Sequence, residues 1–238
     1  MTEHREVAVE VTIAAPIETV WRALRDRDDV RRWHGWEDPT LDEEIEIIYF
    51  REAREEDPGG PDRRLVCGGS VFELTGQGPS TVVRVVMAEP PDSDAWHGWY
   101  DDIRHGWFTF VQQLRFFLER HPGQPRRSLF LAGDPVDAGQ PDVAALLGLD
   151  GAGDPGSAYA ARLPTGDDGT GQVWFRAADQ LGVTVDDWRD GLLVVTAGRR
   201  PAMAVLSTYG LADEEFAALE QRWQAWWGKH FQAPQPAS

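Results

Sequence analysis

The chain has 238 residues, with 40 acidic side chains against 23 Lys and Arg, a formal charge of −17 and a single cysteine. At roughly 100–200 residues per domain this makes one large domain or two small ones, able to fold without disulfides or structural metal. Cys67 alone excludes an internal disulfide or a Cys-based zinc site, and the acidic balance excludes nucleic acid and anionic membrane as partners, which need a basic face.

The N-terminus, Met1 to Glu6, has no apolar signal stretch, and no run approaches about 18 apolar residues. The expectation is a cytoplasmic protein without membrane insertion. Glu6 to Ile13 alternates, with Val7, Val9, Val11 and Ile13 on one face, and reads as a half-buried strand. Ala15-Pro16 opens a helix with Pro at its first position, and Ile17, Val20, Trp21 and Leu24 follow on one face. A short helical piece covers Asp28 to Trp33 until Asp38-Pro39. Ile45–Arg51, Leu65–Leu74 and Thr81–Met87 are rich in β-branched and aromatic residues and read as strands. The acidic Glu55–Pro61 and Gly76-Gln77-Gly78-Pro79 read as the turns between them. Trp99, Ile103, Trp107, Phe110, Leu114, Phe117 and Leu118 then recur at helical spacing up to Pro122-Gly123.

After Pro122-Gly123-Gln124-Pro125 the plan repeats without repeating the residues. Strands are expected at Ser128–Leu131, Tyr159–Leu163, Gln172–Ala177, Leu181–Val185, Leu192–Thr196 and Ala202–Thr208, with a short helix at Pro141–Leu147. A last helix from about Asp213 to Phe231 carries Phe216, Leu219, Trp223, Trp226 and Trp227 on one face. Two domains follow, 1–123 and 124–238.

The run Val11-Thr12-Ile13-Ala14-Ala15-Pro16-Ile17-Glu18-Thr19-Val20-Trp21-Arg22-Ala23-Leu24, with Trp33 beyond it, resembles the opening of the SRPBCC or START-like superfamily. Gly106-Trp107 opening an amphipathic stretch through Gln113-Leu114 resembles the final helix of one branch, the homologues of the heat-shock-protein-90 ATPase activator. The whole chain is also similar to two-domain actinobacterial members of that branch. More weakly, it resembles START-like proteins of polyketide and enediyne gene clusters. The resemblance implies an α+β fold of tandem helix-grip units. In each, a curved antiparallel sheet grips a long C-terminal helix around a cavity, and the second unit is degenerate.

Eight of the 11 tryptophans fall in three stretches, at 33 and 36, at 96, 99 and 107, and at 223, 226 and 227. Such side chains serve equally as core packing or as walls of an apolar cavity. His34-Gly35-Trp36, His97-Gly98-Trp99 and His105-Gly106-Trp107 repeat one tripeptide, but His97 and His105 sit about 12 Å apart along a helix, too far to chelate one ion with Asp101. Gly68-Gly69-Ser70 reads as a strand distortion, since no Gly-Lys-Ser/Thr follows. Cys67 reads as a small buried hydrophobe. The acidic runs Asp42-Glu43-Glu44, Glu55-Glu56-Asp57 and Asp186-Asp187 read as solvated loops. No catalytic set, metal site or cofactor is expected. The ligand-binding candidates are Trp33, Trp36, Tyr49, Phe72, Arg84, Trp99, Trp107 and Phe110. Arg84 is included on the condition that its face of the strand lines the cavity, where it could orient a carboxylate or enolate. The function these imply is binding of a hydrophobic, elongated or polycyclic small molecule, of polyketide, polyene or lipid-like type. One alternative is a polyketide cyclase or aromatase using Arg84, Tyr49 and His34. Another is a chaperone-cofactor-like module with a protein partner.

Overall fold

The computed structural model describes residues 5–67, 69–88, 94–137, 139–198 and 201–233, excluding the side chains of 5 and of 94–102. The chain divides into two compact units, Met1–Gln124 and Pro125–Ser238.

In the first unit, β1 (Arg5–Ile13) leads into α1 (Ile17–Arg25), α2 (Arg27–Arg31) and α3 (Leu41–Glu46), and a π-helical turn covers Ile47–Arg51. Then come β2 (Ala53–Glu56), β3 (Arg63–Cys67), β4 (Ser70–Gln77), β5 (Ser80–Ala88) and α4 (Asp94–Arg120). The sheet is antiparallel in the order β1-β5-β4-β3-β2, so the first strand is paired with the last and the others form a meander. Pro16 stands one residue outside α1, extended, and its carbonyl accepts from Thr19 and Val20. Val20, Ala23 and Leu24 are the buried face of α1.

Alternation along β5 sends Val83, Val85 and Met87 inward, opposite Leu74, Phe72 and Ser70 of β4. Hydrogen bonds tie the helix α4 to this sheet and to the residue that follows β1, and among them Arg104 Nε donates to the Ala8 carbonyl of β1 at 3.4 Å. Trp107 Nε1 donates to Ser70 Oγ at 2.9 Å, and the Ala14 amide donates to the Glu119 carboxylate at 2.8 Å.

Three stretches differ from the sequence reading. Ile45–Arg51, read as a strand for its β-branched and aromatic content, is the end of α3 and the π-helical turn. There Leu41, Ile45 and Tyr49 recur every four residues and are buried. Leu65–Leu74 is a hairpin and not one strand, since β3 and β4 pair from Cys67↔Ser70 to Arg63↔Leu74. Gly69 is in the turn between them. Glu55–Pro61 is only partly turn, because β2 reaches Glu56 as an edge strand whose charged side chains suit an exposed edge. Part of the acidic surface is also paired and not merely solvated. Asp42 meets Arg31, Glu55 meets Arg25 at 2.9 Å, and Glu56 lies between Arg54 at 2.6 Å and Arg64 at 3.2 Å.

The second unit repeats the topology with β6 (Arg126–Pro135), α5 (Val143–Leu146), β7 (Ala158–Arg162), β8 (Asp168–Arg176), β9 (Gln180–Val185), β10 (Gly191–Thr196), β11 (Ala202–Tyr209) and α6 (Asp213–His230), closed by β12 (Phe231–Gln232). Its sheet order, β12-β6-β11-β10-β9-β8-β7, again sets the first strand of the unit beside the last strand before the helix. The reduction lies in the helical insertion, one four-residue helix in place of three, whereas the sheet has two more strands than its counterpart. Leu129, Val173, Val183, Leu193 and Leu206 join Phe216, Leu219 and Trp223 of α6 in one core. β9 and β10 are buried along their whole length, which is why their sequences run nearly continuous in apolar residues and do not alternate. Both units are therefore α+β helix-grip units, an antiparallel sheet with a long C-terminal helix across it.

Candidate functional site

The first unit gathers side chains from four elements around His34. The loop after α2 brings Trp33, His34 and Trp36, the π-helical turn brings Tyr49, β4 brings Phe72, and α4 brings Trp107 and Phe110. Gly35 makes the local arrangement possible. Its φ is +57°, and an added Cβ would stand 3.1 Å from Leu41 Cδ1. His34 is fully buried, as are Trp33, Tyr49 and Phe72, and Trp107 is nearly so. Phe110 lies 4.6 Å from the His34 ring, Tyr49 5.1 Å and Trp33 5.7 Å, centroid to centroid. Phe72 and Trp107 meet edge-to-face at 5.1 Å, and Trp36 lies 5.9 Å from Phe110. Pairs of this kind contribute about 0.5–1.5 kcal/mol beyond their buried area.

Hydrogen bonds fix this cluster. Trp33 Nε1 donates to the Ala23 carbonyl at 2.9 Å. The Gln113 amide of α4, with its nitrogen turned toward the loop, donates to the carbonyls of Trp33 at 2.8 Å and Gly35 at 3.3 Å. Through the middle runs a polar chain. Tyr49 Oη lies 3.0 Å from His34 Nδ1, and His34 Nε2 lies 3.1 Å from Glu44 Oε1. An ionised carboxylate only accepts, so Nε2 carries the imidazole hydrogen and Nδ1 is left to accept from the Tyr49 hydroxyl.

The electrostatics agree with that order. The hydrogen bond from His34 holds the Glu44 carboxyl below its ordinary value, against a smaller opposing effect of burial. Burial drives the Tyr49 hydroxyl well above 10, so it stays protonated and donates. The Cys67 thiol is pushed up to about 12 by burial, partly offset by Arg25, and is no nucleophile at neutral pH. Glu44 also forms one wall of an open groove of about 320 Å³ lined by Thr40, Glu43, Ile47 and Ile48. The chain therefore leads from a surface carboxylate to a buried phenol.

Of the sequence candidates, Trp33, Trp36, Tyr49, Phe72, Trp107 and Phe110 come together here. Arg84 does not. It alternates with Val83 and Val85 onto the other face of the sheet, where it pairs with Glu10 across β1 and opposes Glu73 in β4. The Trp99 side chain lies outside the described residues, as do those of His97 and Asp101. Among the described residues no group of three or more His, Cys, Asp or Glu is placed to hold a metal ion, and no helix is long and apolar enough to cross a membrane. Glu44, Ser70 and Gln113 were not candidates from the sequence. Glu44 lay hidden in an acidic run, and only the helical period linking Leu41, Ile45 and Tyr49 could have placed it beside the cluster.

No protein-family model matches the chain, and no curated protein does. Solved structures give distant likenesses. DynU16, from the dynemicin biosynthetic locus, is 19% identical over 94% of each chain with a TM-score of 0.31. The di-domain ARO/CYC StfQ of the steffimycin biosynthetic pathway is 12% identical over 95% of this chain and 92% of its own, with a TM-score of 0.27. EF2215 of Enterococcus faecalis, a conserved protein of unknown function, is 18% identical over 49% of this chain and 72% of its own, with a TM-score of 0.28. At these TM-scores the likenesses carry no argument about activity. None of them shows the heat-shock-protein-90 activator branch.

Proposed function

We propose that the first unit binds an apolar, ring-bearing small molecule against the aromatic cluster, on the side framed by Trp36, Trp107 and Phe110. The observation that carries this reading is the half-burial of Trp36 and Phe110 at the margin of a cluster whose other rings are closed off. Large aromatic faces left partly open beside a rigid, hydrogen-bonded ring set are suited to stack on a planar ligand. A polyketide-type carbon skeleton, an apolar frame of fused or conjugated rings, fits aromatic walls of this kind.

The test uses N-phenyl-1-naphthylamine, an uncharged apolar dye, titrated against the full chain while its emission is followed. Saturable binding that weakens at least several-fold in Trp36→Ala and Phe110→Ala, with melting temperatures held near wild type, supports the reading. Dye binding absent in wild type, or unchanged in both variants, removes it.

A further inference from the structure

The groove beside Glu44 is open to solvent, and none of the aromatic residues framing the ligand face above lines it. Its five lining residues, Thr40, Glu43, Glu44, Ile47 and Ile48, follow one another at intervals of three and four. They therefore form one stripe along α3 and the π-helical turn. The stripe is polar at one end and aliphatic at the other. Ile47 and Ile48 are only half-buried, so hydrocarbon faces the groove. The carboxylates stand about 6 Å from it along the helix axis, at roughly 1.5 Å per residue.

The charge on this wall is not balanced from within. Asp42 meets Arg31, Glu46 meets Arg27 at 2.7 Å, and Glu44 gives one oxygen to His34 Nε2 at 3.1 Å. Glu43 meets no cation among the described residues. The Glu44 side chain is 45% exposed, and a carboxylate accepts at both oxygens, so its second oxygen is open to another donor. Thr40 Oγ1 donates to Asp38 at 2.6 Å and keeps its lone pairs for a donor in the groove. No Lys or Arg lines the groove.

We propose that this groove binds a small alkylammonium ion, with its nitrogen between Glu43 and Glu44 and its hydrocarbon chain on Ile47 and Ile48. Charge complementarity selects the head, because two carboxylates repel an anion and gain little from a neutral group. The isoleucines select the tail, because a hydrated inorganic cation gains nothing from hydrocarbon. A volume of about 320 Å³ lies at the low end for ligand sites and suits a molecule of this size. The site is separate from Trp36 and Phe110, and stands or falls independently of the ligand reading above.

The test is a titration of the full chain, methyl-labelled at isoleucine, with hexylammonium chloride at fixed ionic strength. The Ile47 and Ile48 methyl signals, followed by NMR, should shift and saturate. A fully buried methylene is worth about fourfold in affinity, so two more in an open groove should make hexylammonium bind at least roughly fourfold tighter than butylammonium. Hexanol, which has the length without the charge, and hexanoate, which has the opposite charge, should each bind at least several-fold more weakly. Glu43→Gln, at an exposed side chain, should weaken hexylammonium several-fold with the melting temperature unchanged. Absence of a saturable shift at Ile47 and Ile48 overturns the proposal. Hexanol binding as tightly as hexylammonium overturns it too, as does wild-type affinity in Glu43→Gln. A larger shift at the Trp36 indole than at the two isoleucines would place the amine at the aromatic cluster, and that result also overturns it.

Discussion

His34 Nδ1 and the Tyr49 hydroxyl meet at 3.0 Å in a place where neither side chain reaches solvent. A buried polar pair of this kind is costly unless every member is satisfied, and the third partner, Glu44, supplies the missing bond from outside. The pair thus joins the π-helical turn, the loop after α2 and the end of α3 into one unit. Removing any one member leaves a buried polar group without its partner, at about 1–3 kcal/mol.

Glu44 gives that linkage a pH dependence of defined sign. Its carboxyl is held below the ordinary value in the folded chain, so the stability it contributes is present above the unfolded value near 4.5 and is lost as pH falls through the folded one. The melting-temperature gap between wild type and Glu44→Gln should be open at pH 7 and close as pH falls from the unfolded value near 4.5 through the lower folded one. A gap that keeps its size from pH 7 to pH 3 would show that the carboxylate charge does not matter to the fold.

Trp107 separates packing from hydrogen bonding. Trp107→Ala removes the ring that meets Phe72 and should cost about 3–5 kcal/mol in a denaturant melt. Trp107→Phe keeps most of the ring area and loses only the bond to Ser70, so about 1 kcal/mol is expected. Equal losses in the two variants would mean that the indole N–H, and not the ring, holds α4 to the sheet.

Gly35 carries its loop through a left-handed conformation with Leu41 close by. Gly35→Ala should cost about 1–2 kcal/mol from backbone strain alone, with more if Leu41 cannot yield. It should also lower Tyr49–His34 order, visible as faster exchange of the His34 ring hydrogen. A melt that matches wild type would remove the conformational argument for this position.

With 40 carboxylates against 23 cations, repulsion outweighs the exposed ion pairs, each contributing about 0–1 kcal/mol. Melting temperature should therefore rise between low and moderate NaCl, by screening of like charges. A fall would mean that pairs such as Glu55–Arg25 and Asp42–Arg31 dominate the charge balance.

The succession of strands in the second unit was legible from β-branched and apolar content, and the α4 and α6 faces from helical period, because long, strongly patterned helices leave little choice of face. Ile45–Arg51 was misread because its composition favours a strand while its spacing favours a helix, and spacing decided. The aromatic members of the site were visible as residue types, since few other places suit so many rings. Glu44 and Gln113 were not, because their roles depend on neighbours 10 and some 80 positions away that no local pattern connects. Arg84 shows the limit of alternation: it separates two faces of a strand but does not say which one turns inward.

The two-residue strand β12 has a consequence for the integrity of the second unit. It covers the end of β6, pairing Phe231 with Pro135 and Gln232 with Asp134, while Phe231 stacks on Trp227 at 4.2 Å. Gly133 admits it: a Cβ there would stand 2.6 Å from the Gln232 carbonyl oxygen. β12 is thus a latch, holding the last turn of α6 against the end of β6. Opening the latch, by Gly133→Ala or by ending the chain before Phe231, would bare the Asp134–Pro135 end of β6 and leave the last turn of α6 free to fray.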